Sequence, residues 1–193
     1  PKAVGAVDLD ASVDDNLKAV ADKLGKDVEE VTVIILDRDR HVDLIKKVRK
    51  CGCRIRLVGD GDIAGAMAPA IEDSGVDILL GTGAAPEGVI AAAALKSLGG
   101  EIQGRLNFRN EDEKKRAKKM GIKDLNMKFM IDDLVNSDEA MFAATGVTDG
   151  TLLKGVRFTS DGAVTHSMVM RSKTKTVRFI EGQHKFEHFP EIN

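Results

Sequence analysis

The residues best suited to chemistry lie in one short stretch, Gly81 to Gly88, with the sequence GTGAAPEG. An apolar run precedes it and an alanine-rich run follows it, which predicts the order strand, glycine-rich turn, helix. The free N–H groups and the dipole of a helix N-terminus favour a bound anion. Pro86 fits the first helical turn, because the N–H that it lacks would have no helical partner there. The stretch therefore predicts a phosphate site.

Glu87 is the unusual member of this stretch, because a carboxylate repels a bound phosphate unless a cation lies between them. In one interpretation, Glu87 is a hard oxygen ligand of an Mg²⁺ or Mn²⁺ ion that bridges to the phosphate. In the other, Glu87 only complements the helix dipole, as acidic residues in a first helical turn commonly do. The spacing alone leaves both interpretations open.

Three further polar segments are predicted at the same edge of the protein, each after a run that predicts a strand. Ligands bind at the carboxyl ends of the strands in an open parallel sheet. Guanidinium groups suit phosphate, and carboxylates suit sugar hydroxyls or a metal. This combination favours a sugar bisphosphate over a dinucleotide, whose glycine fingerprint has a different spacing. The segments are Arg38-Asp39-Arg40-His41, Asp60-Gly61-Asp62 and Thr145 to Asp149.

Two of these segments also have ordinary structural interpretations. The acidic residues Asp60 and Asp62 could cap the helix that follows their turn, and the pattern does not decide between capping and ligand binding. For His41 and the other histidines, a surface or capping role is favoured over catalysis.

The elements that must position these segments follow from the hydrophobic pattern. Three successive strand–loop–helix units predict a parallel sheet with right-handed crossovers, covered by helices. Alternating segments near the C-terminus predict an antiparallel meander. We therefore predict an α/β fold, with residues 1–150 as the substrate-binding domain and 151–193 as its meander and tail. The predicted strands are 31–36, 54–58, 76–80, 102–108, 140–144, 155–159, 163–170 and 176–180, with a loosely held tail over 184–193.

Composition excludes several classes of function. The chain has 193 residues, 42% of them hydrophobic, and a formal net charge of -2, so it can bury a core and has no basic character. With 4% aromatic residues and no Trp or Tyr, it offers little for base stacking, and nucleic acid is not an expected partner. No apolar run is long enough to span a bilayer. Cys51 and Cys53 are expected to be free thiols in a reducing compartment, the cytoplasm.

Several motifs together resemble the class II fructose-1,6-bisphosphatases, including the cyanobacterial-type fructose-1,6-/sedoheptulose-1,7-bisphosphatases. The resemblance runs over essentially the whole chain. The motifs are Asp60-Gly61-Asp62, the stretch from Gly81 to Gly88, Ala91 to Lys96, Gly104-Arg105-Leu106, Met130 to Leu134, Ala143 to Gly150 and Thr165-His166-Ser167.

The resemblance implies a layered αβαβα fold and removal of the 1-phosphate of fructose 1,6-bisphosphate with Mg²⁺ or Mn²⁺, a step of gluconeogenesis. By position, Glu87 would be the catalytic metal ligand, and Ala84 would lie in the substrate-contacting loop. The turn Asp60-Gly61-Asp62 would hold sugar hydroxyls, and Arg38, Asp39 and Arg40 would form the distal-phosphate loop. A homo-oligomer is also implied.

The sequence departs from the family pattern in three respects. Ala84 replaces a frequent glycine, and Arg38-Asp39-Arg40 replaces a frequent Lys-Pro-Arg, which adds a carboxylate beside the distal phosphate. Most metal-binding carboxylates of the family lie N-terminal to everything in this chain. Together with a first residue that is Pro1 rather than Met, this predicts the C-terminal portion of the enzyme, inactive alone. The alternative is a non-catalytic sugar-phosphate-binding domain that lacks the metal half.

Overall fold

The computed structural model describes residues 1–188 and contains two sheets with helices between them. The first sheet is parallel, in the order β2-β1-β3. The second is antiparallel and is organised around β6, which pairs with β7 along one side and with β4 and then β5 along the other. The strands are β1 Thr32–Leu36, β2 Arg54–Val58, β3 Ile78–Leu79, β4 Met141–Thr145, β5 Arg157–Phe158, β6 Gly162–Arg171 and β7 Thr176–Lys185. The predicted α/β class with a C-terminal meander is confirmed.

The part of the chain that the structure describes contains six α-helices, and none of them is long and apolar enough to cross a membrane. Short 3₁₀ segments add single turns at 28–30, 39–41, 68–70 and 186–188. Pro69 lies where the third helix stops being α-helical, because proline lacks the N–H that a helical hydrogen bond requires. The helices are α1 Val13–Leu24, α2 Val42–Lys50, α3 Asp62–Met67, α4 Ala85–Leu98, α5 Glu111–Lys119 and α6 Ile131–Leu134.

The first helix shows how local sequence fixes the element boundaries. The Ser12 hydroxyl accepts a hydrogen bond from the Asp15 N–H at 3.1 Å and so caps α1. At the other end Gly25 adopts a left-handed conformation, with φ of 65°, that a residue without a side chain adopts at little cost. The apolar face of α1, which includes Leu17 and Val20, is buried against β1.

The side chains of β1 point alternately to the two faces of the parallel sheet, and each face is covered by helices. Val33 and Ile35 face α1 and α2, whereas Ile34 faces the 3₁₀ turn after α3. On the far side of this second helical layer, Met67 of α3 and Ala94 of α4 pack against the antiparallel sheet. The order of layers is therefore helix, parallel sheet, helix, antiparallel sheet, which is four of the five layers of an αβαβα arrangement.

The N-terminal segment is attached to the rest of the protein by charged side chains. Asp10 binds Arg105 at 2.7 Å, and Lys128 binds Asp8 at 2.7 Å and Asp10 at 3.2 Å. The hydrogen bonds from Arg105 and Lys128 lower the pKa of Asp10, and the bond from Lys128 lowers the pKa of Asp8. Gln103 adds a bond from its amide nitrogen to the Val7 carbonyl, at 2.8 Å.

Three predictions about the elements are wrong in part. The predicted strand 102–108 is reduced to a single bridge between Gly104 and Phe129, because no strand of residues 1–188 runs beside the rest of it. The strand predicted at 140–144 exists, but it belongs to the antiparallel sheet. The predicted loose tail began at 184, yet 184 and 185 are paired in β7 and only the part beyond 188 lies outside the described residues.

Candidate functional site

A buried histidine joins the end of β1 to the glycine-rich turn. One ring nitrogen of His41, Nδ1, lies 2.8 Å from the Leu36 carbonyl oxygen, and the Thr82 N–H donates to the other, Nε2, at 2.8 Å. Because Leu36 offers only an acceptor and Thr82 only a donor, His41 carries its proton on Nδ1 and is neutral. The residue is 2% exposed. His41 thus bridges the segment after β1 and the glycine-rich turn, which are far apart in the sequence.

The burial of His41 could have been found from the sequence. His41, Ile45 and Val48 recur at helical spacing, and all three are buried on the same side of α2. The polar residues 37–40 directly before His41 predict a loop instead, and this local signal hides its role as a bridge.

Arg40 makes a second contact with the same turn. Its Nε donates to the Thr82 carbonyl at 2.8 Å, so both backbone groups of Thr82 are held by the segment that follows β1. Among residues 1–188, the guanidinium makes no other hydrogen bond, and its two Nη groups can donate to a ligand. The predicted cationic segment therefore lies directly against the predicted anion turn.

Arg38 and Asp60, from the loops after β1 and β2, form an ion pair at 3.0 Å. Asp60 is 97% exposed in its side chain, and Arg38 is 39% exposed. The next residue but one, Asp62, starts α3 and points at the glycine turn: a methyl added at Gly83 would lie 3.1 Å from its Oδ2. Gly61 between them has a φ of 91°, a conformation that favours glycine.

Glu87 lies in the first turn of α4, where its Oε2 accepts a hydrogen bond from the Ala84 N–H at 3.2 Å. This bond caps the helix, in agreement with the structural interpretation of Glu87. Glu87 is partly buried, and Ala84 is exposed at the N-cap. One carboxylate oxygen is used in the cap, and the other remains available as a ligand for a cation.

The carboxylate oxygens at this edge could supply one ligand to a hard cation, but they do not form a complete metal site. Within residues 1–188, no group of three or more His, Cys, Asp or Glu side chains is arranged to hold a metal ion. A Mg²⁺ or Mn²⁺ ion prefers several oxygen ligands, and Glu87 supplies one. The remaining ligands would have to come from outside the described chain or from substrate.

The segment from Thr145 to Asp149 does not follow a strand of the parallel sheet, contrary to our expectation. It follows β4 and folds back onto the antiparallel sheet, with the Thr145 and Ser167 hydroxyls 2.8 Å apart. The Asp149 carboxylate accepts a bond from the Gly155 N–H at 2.9 Å, which closes the loop. Thr148 lines an apolar groove with Ile63 and Ile90 rather than the anion turn.

The loops after β1, β2 and β3 thus meet at one edge, with cations, carboxylates and a helix N-terminus in contact. Such an edge, at the carboxyl ends of parallel strands in a layered α/β fold, defines a class of proteins that bind small ligands there. The family model described as bacterial fructose-1,6-bisphosphatase, glpX-encoded, matches residues 1–184. The chain belongs to this family, which confirms the resemblance.

Relatives in cyanobacteria carry more specific names. The chain is 41% identical to a D-fructose 1,6-bisphosphatase class 2/sedoheptulose 1,7-bisphosphatase of Synechococcus sp. (strain JA-3-3Ab), over 95% of this chain and 56% of that protein. It is also 41% identical to a protein of the same description, numbered 2, from Acaryochloris marina (strain MBIC 11017), over 97% of this chain and 57% of that protein. The chain therefore spans a little over half the length of these relatives.

Proposed function

We propose that this chain is the substrate-binding portion of a cytoplasmic, metal-dependent phosphatase that hydrolyses the 1-phosphate of fructose 1,6-bisphosphate. The observation that carries the proposal is the contact of Arg40 and His41 with Thr82. It places the two available Nη groups of Arg40 beside the N-terminus of a 14-residue helix, so that two anion-binding elements lie close together. The names of the relatives support the same substrate class.

In this proposal each end of the substrate has its own binding element. The distal phosphate is bound by Arg38 and Arg40, whose planar groups can donate two parallel hydrogen bonds to phosphate oxygens. The scissile phosphate lies at the turn from Gly81 to Gly88, where backbone N–H groups and the helix dipole favour negative charge.

The carboxylates beside these elements take the remaining parts of the substrate. Asp60 and Asp62 accept hydrogen bonds from sugar hydroxyls, and Gly61 permits the turn between them. When the phosphate binds, Arg38 breaks its ion pair with Asp60 and binds the phosphate instead. The Asp60 carboxylate is then available to accept a hydrogen bond from a sugar hydroxyl. Asp39 is exposed near the distal phosphate and weakens its binding by repulsion, whereas the methyl of Ala84 narrows the substrate loop.

Glu87 is proposed as the one metal ligand and catalytic residue of this chain. When bound, Mg²⁺ or Mn²⁺ would neutralise charge on the transferring phosphoryl group and activate a water molecule. Glu87 would hold the cation through the oxygen that does not cap the helix. The other ligands are proposed to lie in a preceding N-terminal portion, which in the relatives makes up the remainder of their length.

The outer face of the antiparallel sheet supports the presence of such a portion. Cross-strand partners share a face, so Met141, Val169 and Ile180 lie opposite the side that packs on α4. Met141 is 63% exposed and Ile180 is 47% exposed. A further helical layer over this face would complete the αβαβα order. The whole protein is also proposed to be a homo-oligomer.

The test is phosphate release from fructose 1,6-bisphosphate with Mn²⁺, by this 193-residue chain alone and by the protein with any portion that precedes Pro1. The proposal expects turnover by the longer protein and little or none by the chain alone. Turnover by neither, with the sugar bisphosphate still bound, would favour the alternative of a non-catalytic binding domain. The lack of a metal cluster among residues 1–188 is the observation behind that alternative. Absence of bisphosphate binding would overturn both.

A further inference from the structure

We propose that His41 is a positioning residue that fixes the separation of the two phosphate-binding elements, Arg38 to Arg40 and Gly81 to Gly88. The inference rests on the proposed bisphosphate function and assigns the ability to distinguish bisphosphates from monophosphates to a residue that touches neither phosphate. Its basis is the bridge that the imidazole makes between the end of β1 and the turn.

The ring of His41 is rigid and uses both nitrogens, so it sets the distance between the atoms it joins. The Leu36 carbonyl lies 2.8 Å from Nδ1, and the Thr82 N–H donates to Nε2 at 2.8 Å. Gly81 lies directly on the ring edge: a methyl added there would be 3.3 Å from Cε1 and 3.3 Å from Nε2. With 2% of the residue exposed, the ring has no room to turn.

Arg40, the neighbour of His41, links the position of the turn to the distal-phosphate site. Its Nε holds the Thr82 carbonyl at 2.8 Å while His41 holds the N–H of the same residue. A shift of the turn therefore moves Thr82 relative to Arg40, and with it the scissile phosphate relative to the distal one. A bisphosphate must match both elements at once, whereas a monophosphate needs only one of them.

Two neutral substitutions separate the two hydrogen bonds of the ring. In His41→Gln the side-chain amide reaches the position of Nε2 and can accept from the Thr82 N–H. In His41→Asn the shorter amide reaches only the position of Nδ1, so it keeps the bond to Leu36 and leaves the Thr82 N–H without its acceptor. Both variants remove the imidazole, so a difference between them reports on the bond to the turn.

The experiment measures the Kd of fructose 1,6-bisphosphate and of fructose 6-phosphate by calorimetry, on the protein with any portion that precedes Pro1. We expect His41→Asn to lower the bisphosphate-to-monophosphate affinity ratio by about tenfold, because loss of one buried hydrogen bond has an effect of this order. We expect His41→Gln to stay within about threefold of the wild-type ratio. Urea unfolding of both variants measures the general loss of stability, which a purely structural role would change without changing the ratio.

An unchanged ratio in His41→Asn, or an equal loss in both variants, overturns the inference and leaves the proposed function intact. Absence of bisphosphate binding by the wild-type protein overturns the proposed function and this inference with it.

A measurement on the unaltered protein covers the case in which His41→Asn does not fold. Thr82 is exposed, but its N–H is predicted to exchange with solvent at least about tenfold more slowly than that of Gly83, because only Thr82 is bonded to the buried ring. Equal exchange rates would overturn the inference.

Discussion

The substitution Glu87→Gln separates the two roles that the structure and the proposal give to one carboxylate. In the helix cap, Oε2 of Glu87 accepts from the Ala84 N–H at 3.2 Å, which is a long and partly exposed hydrogen bond. A glutamine oxygen can accept the same bond, so Glu87→Gln removes only the charge that complements the helix dipole. That charge contributes about 0.3–1 kcal/mol to the free energy of unfolding.

The effect on a metal ligand is much larger. A neutral amide is a poor ligand for a hard divalent cation. Outer-shell partners of metal sites already change affinity or activity by about 10–100-fold, so loss of a direct ligand is expected to cost at least about 100-fold in turnover. Glu87→Ala should show the same loss of turnover and a larger loss of stability, about 1–2 kcal/mol, because the cap is removed as well.

The assay compares urea unfolding with Mn²⁺-dependent phosphate release, using the protein with any portion that precedes Pro1. The matched control is Glu111→Gln, which removes a first-turn carboxylate from the exposed helix α5, far along the chain from the turn. The control should lose a similar, small amount of stability and keep full turnover. Turnover by Glu87→Gln within about twofold of the wild type would refute the assignment of Glu87 as a metal ligand and leave only its helix cap.

Three further predictions concern the scaffold. Gly146→Ala should lower the free energy of unfolding in urea by about 3 kcal/mol, because the added methyl overlaps a backbone carbonyl. Gly104→Ala, the control, adds its methyl in open space and should change the free energy of unfolding by less than about 0.5 kcal/mol. Equal free energies of unfolding for the two variants would contradict the packing at Gly146. Burial raises the pKa of Cys53 to about 11, so mass spectrometry after iodoacetamide at pH 7.5 should find Cys51 labelled first and Cys53 protected. The ion pairs of Asp10 lower its pKa and therefore stabilise the fold above its unfolded pKa, near 4, and this contribution is lost as pH falls through the lower folded value. The protection factors of amides in the first ten residues, which correct each exchange rate for its intrinsic pH dependence, should then fall, and protection factors that stay constant between pH 5 and 2 would refute it.

The parts of the fold that were predictable are those with a strong local signal. The cap at Ser12, the left-handed Gly25 and the β-branched run of β1 each specify their element without help from distant residues. The same is true of the hairpin between β6 and β7, whose alternation and turn residues agree. In these segments local propensity and tertiary packing favour the same structure.

The failures arise where pairing depends on a distant partner. The segment 102–108 has strand-like composition, yet among residues 1–188 only Gly104 of this segment forms a β-bridge, with Phe129. The β4 sequence predicts a strand but does not say which sheet it joins, since its partners lie on β6, more than twenty residues away. The candidate site divides in the same way: its residue types are local, whereas the bond between His41 and Thr82 spans 41 positions and depends on the assembled sheet.

The long strand β7 has a consequence for how this chain behaves when it is produced alone. Within residues 1–188, β7 pairs with β6 along one side and with no strand along the other, so this second side is an edge of the sheet. Phe179 and Ile180 are exposed beside it, while Arg178 adds charge that discourages strand addition. We expect the isolated chain to self-associate through this edge, more strongly as added salt screens this charge. Any portion of the protein that covers β7 would therefore also protect the chain from aggregation.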